Sequence, residues 1–106
     1  MLHFVHDEKK ILFANQKAAD FAGVKSGEKL HGKTVAEFIH SEDKEILFER
    51  LEQLFQGESV DPTEMKLLDA TGKTIIVETQ RVLINFNNKP AVQTVFRDIT
   101  EKRIAS

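Results

Sequence analysis

The run Gly27-Glu28-Lys29-Leu30-His31-Gly32-Lys33-Thr34 fills every fixed position of the phosphate-loop pattern G-x-x-x-x-G-K-[ST]. Such a loop works only between a buried strand and a long helix, where backbone N–H groups and the helix dipole converge on the phosphates. Here the residues before it read as a helix, and the helix after it breaks around His40-Ser41. No apolar strand ending in Asp follows to hold magnesium. The match is read as accidental. His40, Ser41 and Asp43 carry the residue types of a hydrolytic triad, but neighbours this close in sequence point different ways, whereas a triad is assembled by convergence in space. Ser41 is better explained as a helix N-cap and Asp43 as a first-turn acid. His3 and His6 lie three apart on an alternating strand, hence on opposite faces, with no third ligand near them. His31, a haem ligand in principle, reads as an ordinary loop histidine. No catalytic residue and no metal ligand is assigned.

The elements that must carry any function fit one domain, since 106 residues suffice for a single core. Aliphatic residues and eight Phe supply that core, and charged residues make up 30% of the chain. The net charge is −2, with Lys and Arg scattered among Asp and Glu. That balance argues against a nucleic-acid partner. The absence of cysteine removes disulfides, zinc ribbons and thiol chemistry and fits a reducing cytoplasm. The apolar runs Ile11–Ala14 and Ile75–Val77 are far too short to span a bilayer, so no membrane contact is expected from this segment, although a parent protein could be anchored elsewhere.

Alternation predicts strands over Leu2–His6 and Ile11–Ala14 around the charged turn Asp7-Glu8-Lys9-Lys10. Asn15 caps a short helix through Ala22, with Ala18, Phe21 and Ala22 on one face and Gly23 ending it. Thr34-Val35-Ala36-Glu37 is a capping-box pattern opening a short helix that presents Val35, Phe38 and Ile39. A longer helix capped by Ser41 carries Leu47, Leu51, Leu54 and Phe55 at helical spacing up to Gly57. Three strands follow, Thr63–Asp69, Thr74–Ile84 and Pro90–Ile99, joined by turn formers into an antiparallel meander.

If those strands alternate as written, Thr63, Met65, Leu67, Ile75, Val77, Thr79, Thr94 and Phe96 face the helices, while Glu64, Lys66, Glu78 and Gln80 face outward. Thr79 and Thr94 are then the polar exceptions on an apolar face. A few polar groups in an apolar hollow describe a small-ligand pocket, and inward threonines bonded to backbone carbonyls describe a filled core equally well.

The last residues alternate through Val92-Gln93-Thr94-Val95-Phe96 and pass without a turn into Arg97-Asp98-Ile99-Thr100-Glu101, where Thr100 reads as a helix N-cap. Ile11-Leu12-Phe13-Ala14-Asn15, Leu30-His31-Gly32-Lys33-Thr34, His40-Ser41-Glu42-Asp43, Asp69-Ala70-Thr71-Gly72-Lys73 and Arg97-Asp98-Ile99-Thr100-Glu101 together, in this order and spacing, resemble the PAS sensor family. The resemblance covers nearly the whole chain. It implies an α+β fold, a five-stranded antiparallel sheet with short helices and one longer helix on one face. It also implies that the closing Asp-Ile-Thr joins the sheet to a coiled-coil signalling helix, with Asp98 and Thr100 as coupling residues. The PAS domain would span 1–99 and the start of the signalling helix 100–106. Cysteinyl-flavin photochemistry is excluded for want of a cysteine, and haem is disfavoured because Asp43–Gln56 has no histidine, so the cofactor is left unknown. Ser41 stands where many members have Pro, and Ala70-Thr71-Gly72 is a longer turn than the usual Asp-Gly.

The favoured reading is a cytoplasmic, non-catalytic sensory module of a histidine kinase or similar signalling protein, expected to be homodimeric and linked to a downstream output domain. Any small-molecule ligand would be held among Phe38, Leu51, Met65, Val77, Thr94 and Phe96. The alternative is a PAS dimerisation or adaptor domain with a filled core, in which Ile76 and Val82 on the outer sheet face form the partner surface. A small α+β enzyme is the weakest reading, because no acid–base pair or nucleophile stands in a plausible pocket.

Overall fold

A computed structural model gives the fold and describes residues 1–100. The chain opens with the hairpin β1 (Leu2–His6) and β2 (Ile11–Ala14). The Asp7 carboxylate closes it by accepting the backbone N–H groups of Lys9 and Lys10 at 2.7 and 2.6 Å. Those bonds hold the Asp7 carboxyl below its ordinary pKa against the opposing effect of desolvation.

Helix α1 (Gln16–Ala22) begins where the Asn15 side chain accepts from the Ala18 N–H and ends at Gly23 in the left-handed region, φ 75°. A Cβ at Gly23 would run into that of Ala70, so both the turn and the packing demand glycine here. Ala18 and Ala19 are buried and Phe21 and Ala22 half-buried, which moves the centre of the apolar face one residue from its expected place.

The predicted capping box forms, with the Thr34 N–H donating to Glu37 Oε2 at 3.1 Å, but the turn it opens, Val35–Phe38, is 3₁₀ rather than α. The expectation that Ser41 caps the long helix is corrected. Ser41–Asp43 is a separate 3₁₀ turn, capped by His40, whose Nδ1 accepts from the Glu42 N–H at 3.2 Å. Helix α2 (Lys44–Phe55) starts after it. Asp43 spends its carboxylate on the backbone N–H of Lys66 at 2.7 Å, tying the start of α2 to the sheet.

Strands β3 (Thr63–Leu68), β4 (Thr74–Phe86) and β5 (Lys89–Asp98) complete a five-stranded sheet in the order β2-β1-β5-β4-β3. All pairings are antiparallel. The meander is as predicted, but the β4–β5 hairpin is tighter. Asn87 and Asn88 both take positive φ, 52° and 65°, which allows a two-residue turn of the primed type, so β4 runs on to Phe86 and β5 starts at Lys89.

The core lies between the sheet and the helices. Phe4, Ile11, Leu30, Ile39, Leu47, Leu54, Met65, Leu67, Val77, Val92 and Phe96 all fall in one buried cluster. On α2, Leu47, Leu51 and Leu54 are the buried positions, spaced i, i+4 and i+7 as a single face requires.

Candidate functional site

The inner sheet face gathers the predicted ligand residues. Leu51, Met65, Val77 and Phe96 belong to the single core cluster, and Phe38 packs against it. Phe38 stacks on Phe4 with ring centroids 6.3 Å apart, and Phe4 meets Phe96 edge to face at 5.8 Å. Thr94 is fully buried on β5. All six therefore lie in or against one interior, and the aromatic and aliphatic members among them are in packing contact.

The polar part of this interior is larger than the sequence reading allowed. Besides Thr79 and Thr94, it holds His6 and Arg81, at 1% and 5% exposure. Alternation carried the signal for both: His6 shares the parity of Leu2 and Phe4, and Arg81 that of Val77 and Thr79. His6 is fully bonded. Its Nδ1 lies 3.0 Å from the Asp7 carbonyl, which only accepts, so Nδ1 carries the proton and Nε2 accepts from Thr94 Oγ1 at 2.9 Å. Burial, helped by the nearby Arg81 charge, lowers the His6 pKa to about 4, so the ring is neutral at pH 7. The Asp7 carbonyl opposes that shift without reversing it.

Arg81 is different. Its Nη2 reaches the Met65 sulfur at 3.1 Å, a weak acceptor, and its Nε has no partner among the described residues. Burial first, and the Arg50 charge second, lower its pKa to about 10, which still leaves it a cation at pH 7. Among the described residues the Thr79 hydroxyl and Arg50 Nε are buried without partners as well.

At the far end of β5 the side chains of Asp98 and Thr100 are hydrogen-bonded. The Asp98 carboxylate accepts the Thr100 N–H at 2.9 Å. The Thr100 hydroxyl accepts the Ile76 N–H at 2.9 Å and donates to the Ile76 carbonyl at 3.3 Å, while the Ile99 N–H donates to the same carbonyl at 2.9 Å. The two predicted coupling residues are thus brought together over Ile76 of β4. The outgoing helix, and with it the capping role expected of Thr100 toward it, lies outside the described residues, as do Glu101 and the rest of 101–106.

The phosphate-loop match has another use in this fold. Gly27–Leu30 is a 3₁₀ turn following a helix and a loop. Its amides are spent on protein acceptors: Lys29 N–H on Ser26, His31 on Glu28, Gly32 on Ile11, Lys33 on Leu30. With those four donors engaged, they are not available to cradle a phosphate. Gly27 is required because a Cβ there would collide with the Ala14 carbonyl. His3 packs edge to face on Phe13, with centroids 5.6 Å apart, on the sheet face opposite His6, and His31 is exposed. Among the described residues no helix is long and apolar enough to cross a membrane.

A family model described as "PAS domain" matches residues 1–101. Among solved structures, a PAS domain from Colwellia psychrerythraea superposes with a TM-score of 0.76 at 22% identity, covering 94% of this chain and 86% of that one. The PAS domain of an HTR-like protein from Haloarcula marismortui gives 0.74 at 24% identity, covering 92% and 80%. The PAS-B domain of Drosophila melanogaster Cycle, with bound ethylene glycol, gives 0.72 at 16% identity, covering 92% and 99%. No curated protein sequence matches the chain.

Proposed function

Because the chain belongs to the PAS domain family, whose members are generally sensory or regulatory modules, we propose that it is the non-catalytic sensor of a larger signal-transduction protein such as a histidine kinase. Residues 1–99 form the sensor body and 100–106 begin the helix toward a downstream output domain. The parent protein works in the cytoplasm as a homodimer.

The observation that carries this reading is the junction over Ile76. A strand shift on the inner face reaches Ile76 along β4, and Ile76 holds both Ile99 and Thr100 through its backbone. Asp98 fixes the turn between them by accepting the Thr100 N–H. A small displacement of β4 therefore reorients the start of whatever follows Thr100, as a bistable joint requires. Replacing Asp98 with Ala in the parent protein should change signalling output while residues 1–100 stay folded. Unaltered output at normal expression would sink the proposal.

A second reading is favoured by the outer sheet face, where Val82 is 55% and Phe13 44% exposed. An adaptor using that face, with Ile76 and Val82 at the contact, would lose its dimer on Val82→Asp in sedimentation and would need no ligand.

A further inference from the structure

Both end strands of the sheet have their outer edges engaged by the protein itself. On β2, the Ile11 N–H donates to the Lys33 carbonyl and the Ile11 carbonyl accepts from the Gly32 N–H. On β3, the Asp43 carboxylate takes the Lys66 N–H, the Lys66 carbonyl accepts from His40, and Ile39 bridges to Leu67. The start of β3 carries the charge of Glu64 and is preceded by Pro62, residue types with which proteins discourage a further strand from adding. The far half of β4 has neither device. Its pairing with β3 stops at Thr79 with Thr63, while its pairing with β5 runs on to Phe86 with Lys89. From Ile84 outward the hairpin is two strands wide, because β1 leaves β5 at Val92.

Alternation says which backbone groups are left over. The N–H and C=O of Ile76 are bonded to Thr100 and Ile99, on the β5 side, and the β4–β5 register runs without a shift to the turn. Even-numbered residues of β4 therefore turn their backbone groups to β5, and Leu83 and Asn85 turn theirs to the side that β3 has vacated. No hydrogen bond from a described residue reaches those groups. The stretch Val82-Leu83-Ile84-Asn85-Phe86 has no charge and no Pro, and Val82 and Leu83 are 55% and 36% exposed. Val82, Ile84 and Phe86 share the outer face of the sheet.

We propose that this bare edge is the contact between two copies of the chain, paired antiparallel about a two-fold axis at Ile84. Leu83 then faces Asn85 of the second copy and the two exchange N–H···O=C bonds, an exchange that symmetry repeats on the other side of the axis. On the outer face Ile84 meets its own copy and Val82 meets Phe86, so each crossing is β-branched or aromatic and no like charges are opposed. The stretch is thus complementary to its own reverse, which favours a second copy over an unrelated strand. The register also leaves Pro62 and Thr63 in place, since the incoming strand ends opposite Arg81 at its own Asn87 turn. Main-chain bonds supply the adhesion, as in other strand additions, and the alternate side chains supply the register. The inference rests on the homodimeric sensor reading above and gives that dimer its contact.

The test is sedimentation equilibrium of the chain over roughly 5–500 µM, the range in which a contact of this size dissociates. A monomer–dimer equilibrium is expected. Ile84→Lys and Ile84→Glu each set like charges face to face on the axis and should weaken the dimer about tenfold or more, whereas an equimolar mixture of the two should recover it as a heterodimer. Phe13→Asp, on the outer face of the opposite end strand, should leave the dimer intact. Should either variant at Ile84 not fold, Leu83→Pro decides, because the N–H it removes belongs to the bare side of β4 and not to the β4–β5 ladder; it must weaken the dimer likewise. A chain that stays monomeric throughout, a dimer untouched by the changes at Ile84, no recovery in the mixture, or a dimer lost on Phe13→Asp overturns the proposal. Because the sensor reading is tested separately through output in Asp98→Ala, its failure and the failure of this contact give different results.

Discussion

The two ends of the inner β4–β5 surface treat hydrogen bonding in opposite ways. At Asp98–Thr100 the Asp98 carboxylate holds the Thr100 N–H and the Thr100 hydroxyl bonds both backbone groups of Ile76. At Arg81 Nε and the Thr79 hydroxyl, buried donors go without acceptors among the described residues. A satisfied network fixes one geometry, whereas buried groups left unsatisfied cost stability. The same pair of strands thus joins a bonded junction to an interior with unbonded polar groups, and β4 runs continuously between them.

Truncating the packed region that separates them should cost most. Phe96→Ala removes a ring that is 1% exposed and in edge contact with Phe4, and a loss of about 3–5 kcal/mol in denaturant unfolding is expected. A loss below about 1 kcal/mol would mean that the interior is hollow there, and would weaken the contrast with Arg81.

Acid should come next, through His6. Its folded pKa of about 4 lies below the ordinary 6.5, so the unfolded chain binds the extra proton first. The stability that neutral His6 contributes is complete above pH 6.5 and is lost as pH falls toward 4, by about 3 kcal/mol in all. Urea midpoints between pH 7 and 4.5 measure it, above the range where the carboxylates Asp7 and Asp69, both held below their ordinary values, contribute. His6→Gln should flatten the curve in that window; an unchanged slope would place the loss elsewhere.

Thr100→Val takes the partner from the Ile76 N–H and should cost about 1–2 kcal/mol. Hydrogen exchange at that amide should rise in step. Smallest is Asp98→Ala, which removes one exposed acceptor and should cost about 0.5–1 kcal/mol, so that any large change in output comes from the joint and not from unfolding.

The fold was legible because each element left an independent mark. Leu47, Leu51 and Leu54 kept helical spacing, Asn15 and Gly23 bracketed α1, and the period-two pattern of β3 to β5 set the faces correctly. The local errors have local causes. Ser41 has the chemistry of a cap, but His40 bonds Glu42 first and Asp43 is drawn off to Lys66 across the sheet, a tertiary contact invisible in sequence. The β4–β5 turn tightened because two asparagines accept positive φ as readily as a longer loop would avoid it. Of the interior, the apolar candidates Leu51, Met65, Val77 and Phe96 were readable from alternation and helical spacing. Arg81 is on the same register, but a charged residue in a strand ordinarily faces water, so its type argues against the burial that its parity implies. Nothing in its neighbours in sequence reveals that its Nε has no partner among the described residues, since that is a property of what surrounds it in space.

The most direct measurement is signalling output of the parent protein carrying Thr100→Ser beside Thr100→Val. Serine keeps the hydroxyl on the Ile76 backbone, and valine keeps the shape without it. The account predicts near-normal, stimulus-dependent output from the serine variant and displaced or unresponsive output from the valine variant, with both domains folded. Equal output from the two would contradict the proposal that the sheet acts on whatever follows Thr100 through this joint.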